Sequence, residues 1–340
     1  MTETNLLPPE QAARGRAILA RLRVALNELL LGQAAMLDLV VIALGARGHI
    51  LLEGLPGLGK TELVKGLSRL LGLSFRRVQF TPDLLPSDVT GGLVLEEQDG
   101  RRTFTFRPGP IFANLVLADE INRASPKTQS AMLEAMQERR VTVFGDTHAL
   151  PAPFFVLATQ NPIELEGTYP LPEAQLDRFL FKVDVRAVGA DVMSAILRGR
   201  RHGAAPEQAQ VCSADDLTTL FGLIDAVYLP DAVADYIGRL VEASHPDSAR
   251  CPERVRTLIR YGASPRAAIA LAEAGRASAL LAGRPNVDFA DVERIALAAL
   301  GHRLVLQHTA RIEGMAAGDI VALLLEATPK VAAALPREFA

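Results

Sequence analysis

The stretch Gly54-Leu55-Pro56-Gly57-Leu58-Gly59-Lys60-Thr61 constrains this chain more than any other. It reads G-x-x-x-x-G-K-T and follows the apolar run His49-Ile50-Leu51-Leu52-Glu53. The run predicts a buried strand, and the lysine predicts the start of a helix. In that geometry backbone N–H groups converge on one concavity, and the helix N-terminus adds positive potential. Gly57 and Gly59 can take φ > 0 and leave no Cβ in the way of a phosphate. Lys60 would neutralise phosphate charge, and the Thr61 hydroxyl would ligate Mg²⁺. The expectation is a site for a nucleoside triphosphate, built from Gly54, Pro56, Gly57, Leu58, Gly59, Lys60, Thr61 and Glu62. The bland alternative is a glycine-rich turn that binds nothing.

The chain has 340 residues, enough for two domains. Hydrophobic residues make up 49% and charged residues 22%, so a sizeable core can form. A net charge of −3 removes the usual electrostatic argument for nucleic-acid binding. Aromatics are scarce and Trp is absent, which also disfavours a base-stacking platform. Cys212 and Cys251 show no metal-ligand spacing, and a reduced cytosol is the simplest setting. Residues 1–10 lack a signal pattern. The longest proline-free apolar stretch, Leu39 to Ala46, is too short to span a bilayer and suits a buried helix. These features predict a cytoplasmic protein without a membrane span. The scattered histidines read as satisfied or solvated side chains.

Hydrophobic spacing predicts an amphipathic helix over 9–30 and a second after Gly32-Gln33. Strands are expected at 49–53, 75–80, 115–118, 154–158 and 179–185, with helices at 60–71 and 126–138. Two hairpins are expected, at 90–107 with a turn at Asp99-Gly100, and at 139–153 with a turn near Gly145-Asp146. Strands alternating with helices indicate a mostly parallel sheet covered on both faces, an α/β core over 1–186. From 187 to 340 the chain is rich in alanine and leucine with helical periodicity and no good strand, which predicts a smaller all-α domain.

Asp119-Glu120 closes the apolar run Leu115-Val116-Leu117-Ala118. Hydrolysis needs one carboxylate near Mg²⁺ and another to polarise the attacking water. The end of a parallel strand beside the phosphate loop suits both. Asp119 would hold Mg²⁺ through water, with Glu120 as the base; the alternative is a solvated acidic strand end. Asn161, at the end of the next strand, could orient the water or contact the γ-phosphate, or serve only as turn chemistry before Pro162. Arg178 could reach a neighbouring subunit's γ-phosphate, or pair locally with Asp177 or Glu173. Arg266, opening a helix of the second domain, could report nucleotide state to it; an ordinary solvated arginine would sit poorly against the helix dipole. Arg123 is a weaker candidate at a subunit interface.

These residues carry a resemblance. The stretches Gly48–Thr61, Thr81–Asp88, Ala118–Ala124, Ala158–Glu164, Glu166–Phe179 and Gly262–Arg266 resemble MoxR-type AAA+ ATPases of the helix-2-insert clade. The likeness runs from about residue 15 to 310 and leaves the tail 325–340 outside. It implies an AAA+ core with a helical lid, and Gly54–Thr61 and Leu115–Glu120 as the Walker A and B motifs. Asn161 would be sensor 1, Arg178 the trans-acting finger and Arg266 sensor 2, with Gly32 and Gln33 near the adenine. The hairpins at about 91–107 and 139–153 would face the pore of a homo-hexameric ring. The resemblance further implies a chaperone-like motor that matures a client protein, with a von Willebrand factor A domain partner. Two other readings stay open: a chelatase-type motor for metal insertion, and a nucleic-acid translocase, for which the hairpin carries Arg101, Arg102 and Arg107.

Overall fold

The computed structural model describes residues 6–54, 57, 59–98, 101–162, 167–199 and 208–331. Helices α1 (Pro9–Leu29) and α2 (Ala34–Gly45) come first. Leu19, Leu22, Leu26 and Leu29 recur at helical spacing along α1 and are buried. The apolar stretch of α2 is also buried, from Val40 to Gly45. Strand β1 (Ile50–Glu53) leads to α3 (Lys60–Leu71), which left-handed glycines bound at both ends, Gly59 and Gly72. Then come β2 (Phe75–Gln79), the short α4 (Pro86–Thr90) and the hairpin β3 (Gly91–Gln98) and β4 (Arg101–Pro108). Strand β5 (Leu115–Asp119) precedes α5 (Pro126–Glu138), capped by the Ser125 hydroxyl. A second hairpin, β6 (Arg140–Val143) and β7 (Asp146–Ala149), leads to β8 (Phe155–Gln160). After α6 (Glu173–Leu176), β9 (Phe181–Asp184) closes the core, followed by α7 (Ala190–Gly199).

Five of these strands form one parallel sheet in the order β2-β5-β8-β1-β9. Strands β1, β5 and β8 are buried along their length and become partly exposed only at Glu53, Asp119 and Gln160. Their register aligns those ends: Glu53 pairs with Gln160, and Ala118 with Ala158. Apolar side chains therefore fill the sheet's faces, while polar residues collect along its carboxyl edge. Val78, Val116, Ala118 and Val156 pack with Met132, Leu133 and Met136 of α5 in one buried cluster. The two hairpins form separate two-stranded ribbons. Phe106 of β4 stacks on His148 of β7, with ring centroids 3.9 Å apart and planes 11° apart. The expected turn at Asp99-Gly100 lies outside the described residues.

The second half contains α8 (Ala214–Asp225), α9 (Asp231–Ala243), α10 (Glu253–Arg256), α11 (Pro265–Leu281) and α12 (Phe289–Leu300). It also contains a ribbon, β10 (Ile259–Tyr261) with β11 (Val305–Leu306), which corrects the expectation of no strand there. Three residues paired with two leave no periodicity to read. Helices α13 (His308–Ile312) and α14 (Ala317–Ala327) end the described chain.

The chain divides into two compact units, residues 18–218, and residues up to 17 together with 219 onward. The first unit runs past 186 because the chain returns to it. Val211 and Cys212 donate their N–H groups to the Leu70 carbonyl, and the Gln208 amide donates to the Ala25 carbonyl at 2.9 Å.

Candidate active site

At the end of β1 the backbone turns through glycines whose conformations suit no other residue. Gly57 and Gly59 have φ of 83° and 81°. A Cβ on Gly57 would meet nothing within 4 Å, whereas one on Gly54 would lie 2.7 Å from the Val185 carbonyl oxygen. The N-cap of α3 is Gly59, which has no side chain to cap the helix's first N–H groups. The Lys60 ammonium donates to the Gly54 carbonyl at 2.6 Å. Burial pulls its pKa below the ordinary lysine value, against the opposing charges of Asp119, Glu120 and Glu53. Leu55, Pro56 and Leu58 lie outside the described residues.

A cavity of about 370 Å³ opens on this loop. Part of its lining is Gly54, Gly57, Gly59, Lys60, Thr61 and Glu62. The rest comes from the sheet's carboxyl edge: Arg77, Asp119, Glu120, Thr159 and Asn161. The volume falls in the range of ligand sites, roughly 300–1,000 Å³.

Asp119 and Glu120 are adjacent yet held differently. Asp119 Oδ1 accepts the Thr159 hydroxyl at 2.6 Å, and Oδ2 accepts Arg77 Nη2 at 2.6 Å and Nε at 3.1 Å. Glu120 has φ 55° and ψ 50°, a left-handed backbone uncommon outside glycine. The turn directs its carboxylate away from the strand's own alternation. Its N–H donates to Thr159 Oγ1 at 2.8 Å. Its Oε2 accepts Gln79 Nε2 at 2.8 Å and Arg123 Nη1 at 3.0 Å. Asn161 is buried at the end of β8. Among the described residues no group of three His, Cys, Asp or Glu side chains is placed to hold a metal by itself. The Thr61 hydroxyl and the Asp119 carboxylate are oxygen groups of the kind a divalent cation shares with phosphate oxygens and water, while the start of α3 suits the phosphates themselves.

The family model of the ATPase family associated with various cellular activities (AAA) matches residues 49–181, and the AAA lid domain matches 251–323. Chaperone MoxR1 of Mycobacterium tuberculosis is 41% identical over 308 residues, 90% of this chain and 81% of that protein. Protein MoxR of Paracoccus denitrificans is 35% identical over 83% of this chain and 87% of its own length. This chain belongs to the MoxR family of AAA+ ATPases. The crystal structure of a candidate ATPase from Cytophaga hutchinsonii superposes with a TM-score of 0.86 at 37% identity, covering 94% of this chain and 97% of that one. The MoxR-type chain is thus an ATPase with an α/β AAA+ fold and a helical lid. No helix among the described residues is long and apolar enough to cross a membrane.

In this MoxR-family chain the structure brings Gly54, Gly57, Gly59, Lys60, Thr61, Glu62, Asp119, Glu120 and Asn161 together around one cavity. Other expected residues are placed elsewhere. Arg178 follows α6, and its buried Nε has no hydrogen-bond partner among the described residues. Arg266 stands in the other compact unit, exposed in the first turn of α11, where Ser264 accepts its N–H. Gly32, with φ 78°, packs against Val188 and Val192, and a Cβ there would lie 2.8 Å from Val192 Cγ1. Gln33 spends its amide on the Arg186 carbonyl at 2.8 Å. Arg123 contacts Glu120 within its own chain.

Three site residues escaped sequence reasoning. Arg77 and Gln79 alternate on β2 beside β5, and Thr159 lies two residues before Asn161. Thr159 carried a faint signal, a hydroxyl closing an apolar strand. Arg77 and Gln79 carried none, because they reach Asp119 and Glu120 across a strand pairing.

Proposed function

We propose that this chain is an ATP-driven, MoxR-type remodelling motor whose substrate occupies the cavity at the carboxyl edge of the sheet. The observation that carries the reading is the convergence of Lys60 and the uncapped start of α3 with Asp119 and Glu120 on one cavity. The loop from Gly54 to Thr61 would cradle the phosphates of ATP, with Pro56 and Leu58 inside the loop and Glu62 beside it. Lys60 would neutralise phosphate charge, and a polyphosphate there would add to the counter-charge of Asp119, Glu120 and Glu53 against the cost of its burial. The Thr61 hydroxyl and, through water, Asp119 would hold Mg²⁺, which supplies charge neutralisation at the phosphate oxygens. Glu120 would take a proton from the attacking water, and Asn161 would orient that water. Gly32 and Gln33 would border the adenine.

Arg178 would complete the site of a neighbouring subunit, which requires a homo-oligomer, and the family reading makes that a hexameric ring. Arg266 would couple nucleotide state to the lid, taken here as the domain from 187 on. The hairpins, with Phe104 and Phe144 exposed, would pass motion to a client protein. A von Willebrand factor A domain partner and a cytoplasmic setting belong to the same reading. Arg102 and Arg107 pair with Glu97 and Glu96, which leaves little of the basic patch that a translocase would need.

Glu120→Gln tests the assignment. The variant keeps one acceptor and the shape of the side chain but loses the base. ATP affinity should stay within a few-fold of wild type, while turnover falls by about 10²-fold or more. Wild-type turnover in this variant would remove Glu120 from the chemistry.

A further inference from the structure

We propose that Arg77 is a built-in competitor of the divalent cation at Asp119; the inference rests on the cavity being the nucleotide–metal site. The Asp119 carboxylate is 15% exposed and both of its oxygens are engaged. The two partners differ in kind. Thr159 is 1% exposed and rooted in β8, a neighbour of β5 within the sheet. Its short bond to Oδ1 cannot open without disturbing that packing. Arg77 approaches Oδ2 from the edge strand β2, and its side chain is 48% exposed. A long side chain with water at hand can swing away at little cost.

The guanidinium therefore covers the one carboxylate oxygen that the fold leaves negotiable. While it stays, Oδ2 accepts two N–H donors, and its charge is offset by a cation of the chain's own. A hydrated divalent ion that hydrogen-bonds its water shell to Oδ2 needs the acceptor sites that the guanidinium fills. Nη2 also donates to Gln79 Oε1 at 2.6 Å, so Gln79 holds the guanidinium beside Asp119 and adds to the modest cost of displacing it. The guanidinium and the metal compete for one acceptor, and cation binding carries the cost of displacing Arg77. A residue that merely oriented Asp119 would act with the opposite sign, because its loss would weaken the metal.

The test is ADP affinity of the full chain, measured by calorimetry in EDTA and across a MgCl2 titration, for wild type, Arg77→Gln and Arg77→Lys. Arg77→Gln removes a positive charge near the phosphates, so affinity in EDTA alone does not isolate the competition; the Mg²⁺-dependent gain does. That gain should rise about fivefold in Arg77→Gln, the scale of a half-exposed charge pair, and the half-saturating Mg²⁺ should fall correspondingly. Arg77→Lys, a point charge without the two-pronged contact, should fall between. An unchanged or reduced gain with ADP binding intact would overturn the role of Arg77 alone. Failure of the wild type to bind ADP under either condition would overturn the site reading and this proposal together.

Discussion

His49 stands directly before β1 and is buried in the core. Its Nδ1 accepts the Val156 N–H at 3.0 Å, so the ring proton sits on Nε2, which donates to the Met136 carbonyl at 3.1 Å. The Val156 bond needs an unprotonated Nδ1 and so the neutral ring, whereas the Nε2 donation to Met136 is open to either form. Burial drives the pKa from 6.5 down to about 4, with the Arg139 charge adding to it and the Met136 bond opposing. Between those values the unfolded chain binds more protons than the folded one. Stability from this residue is therefore fully present above pH 6.5 and lost as pH falls toward 4. The shift corresponds to about 3 kcal/mol when fully developed. Urea unfolding of wild type should weaken over that window by more than unfolding of His49→Gln, which cannot titrate. Parallel pH profiles for the two proteins would show that the ring is not held neutral. The glycines of the nucleotide loop and Glu120 belong to the same scale, since each sets a backbone direction that neighbouring side chains then exploit.

The contact between the hairpins is an element-level feature. Phe106 stacks on His148, and Phe112 meets the edge of Phe106 with centroids 5.6 Å apart. The β3–β4 ribbon is thereby tied to β6–β7 through side chains. A double-mutant cycle with Phe106→Ala and His148→Ala should give a coupling of about 0.5–1.5 kcal/mol in chemical unfolding. Additive losses would mean that the ribbons stand independently. Sequence reasoning placed both hairpins and all five core strands because their residues alternate or run apolar between turn signals. Asp119, Glu120 and Asn161 were legible for the same reason, as polar residues closing apolar runs. The ribbon of Ile259–Tyr261 with Val305–Leu306 was not, since neither segment is long enough to show a period. Arg77, Gln79 and Thr159 were equally hidden, because their roles arise from pairing of β2, β5 and β8. The left-handed turn at Glu120 was beyond reach as well, because Glu seldom adopts it and no neighbouring residue announces it.

At the scale of the whole molecule, two compact units match two family models, the AAA ATPase domain and the AAA lid domain. The cavity is lined by the loop and first turn of α3 on one side and by the sheet's carboxyl edge on the other. Arg178 is not among the described residues that line the cavity, and the proposal has it serve the site of a second copy. An arginine supplied this way is worth roughly 10³–10⁵ in rate. The proposed hydrolytic site is thus one shared between subunits. Mixing tests it most directly. If the site is shared, Lys60→Ala would lose the phosphates and Arg178→Ala would fail its neighbour, so each alone should be nearly inactive. In mixed assemblies an Arg178→Ala subunit would keep an intact cavity, and a Lys60→Ala neighbour would keep the arginine. ATP turnover of the mixture should rise well above the sum of the two variants and peak near equal proportions. Mixed assemblies verified by native mass spectrometry that show no such gain would contradict the shared site.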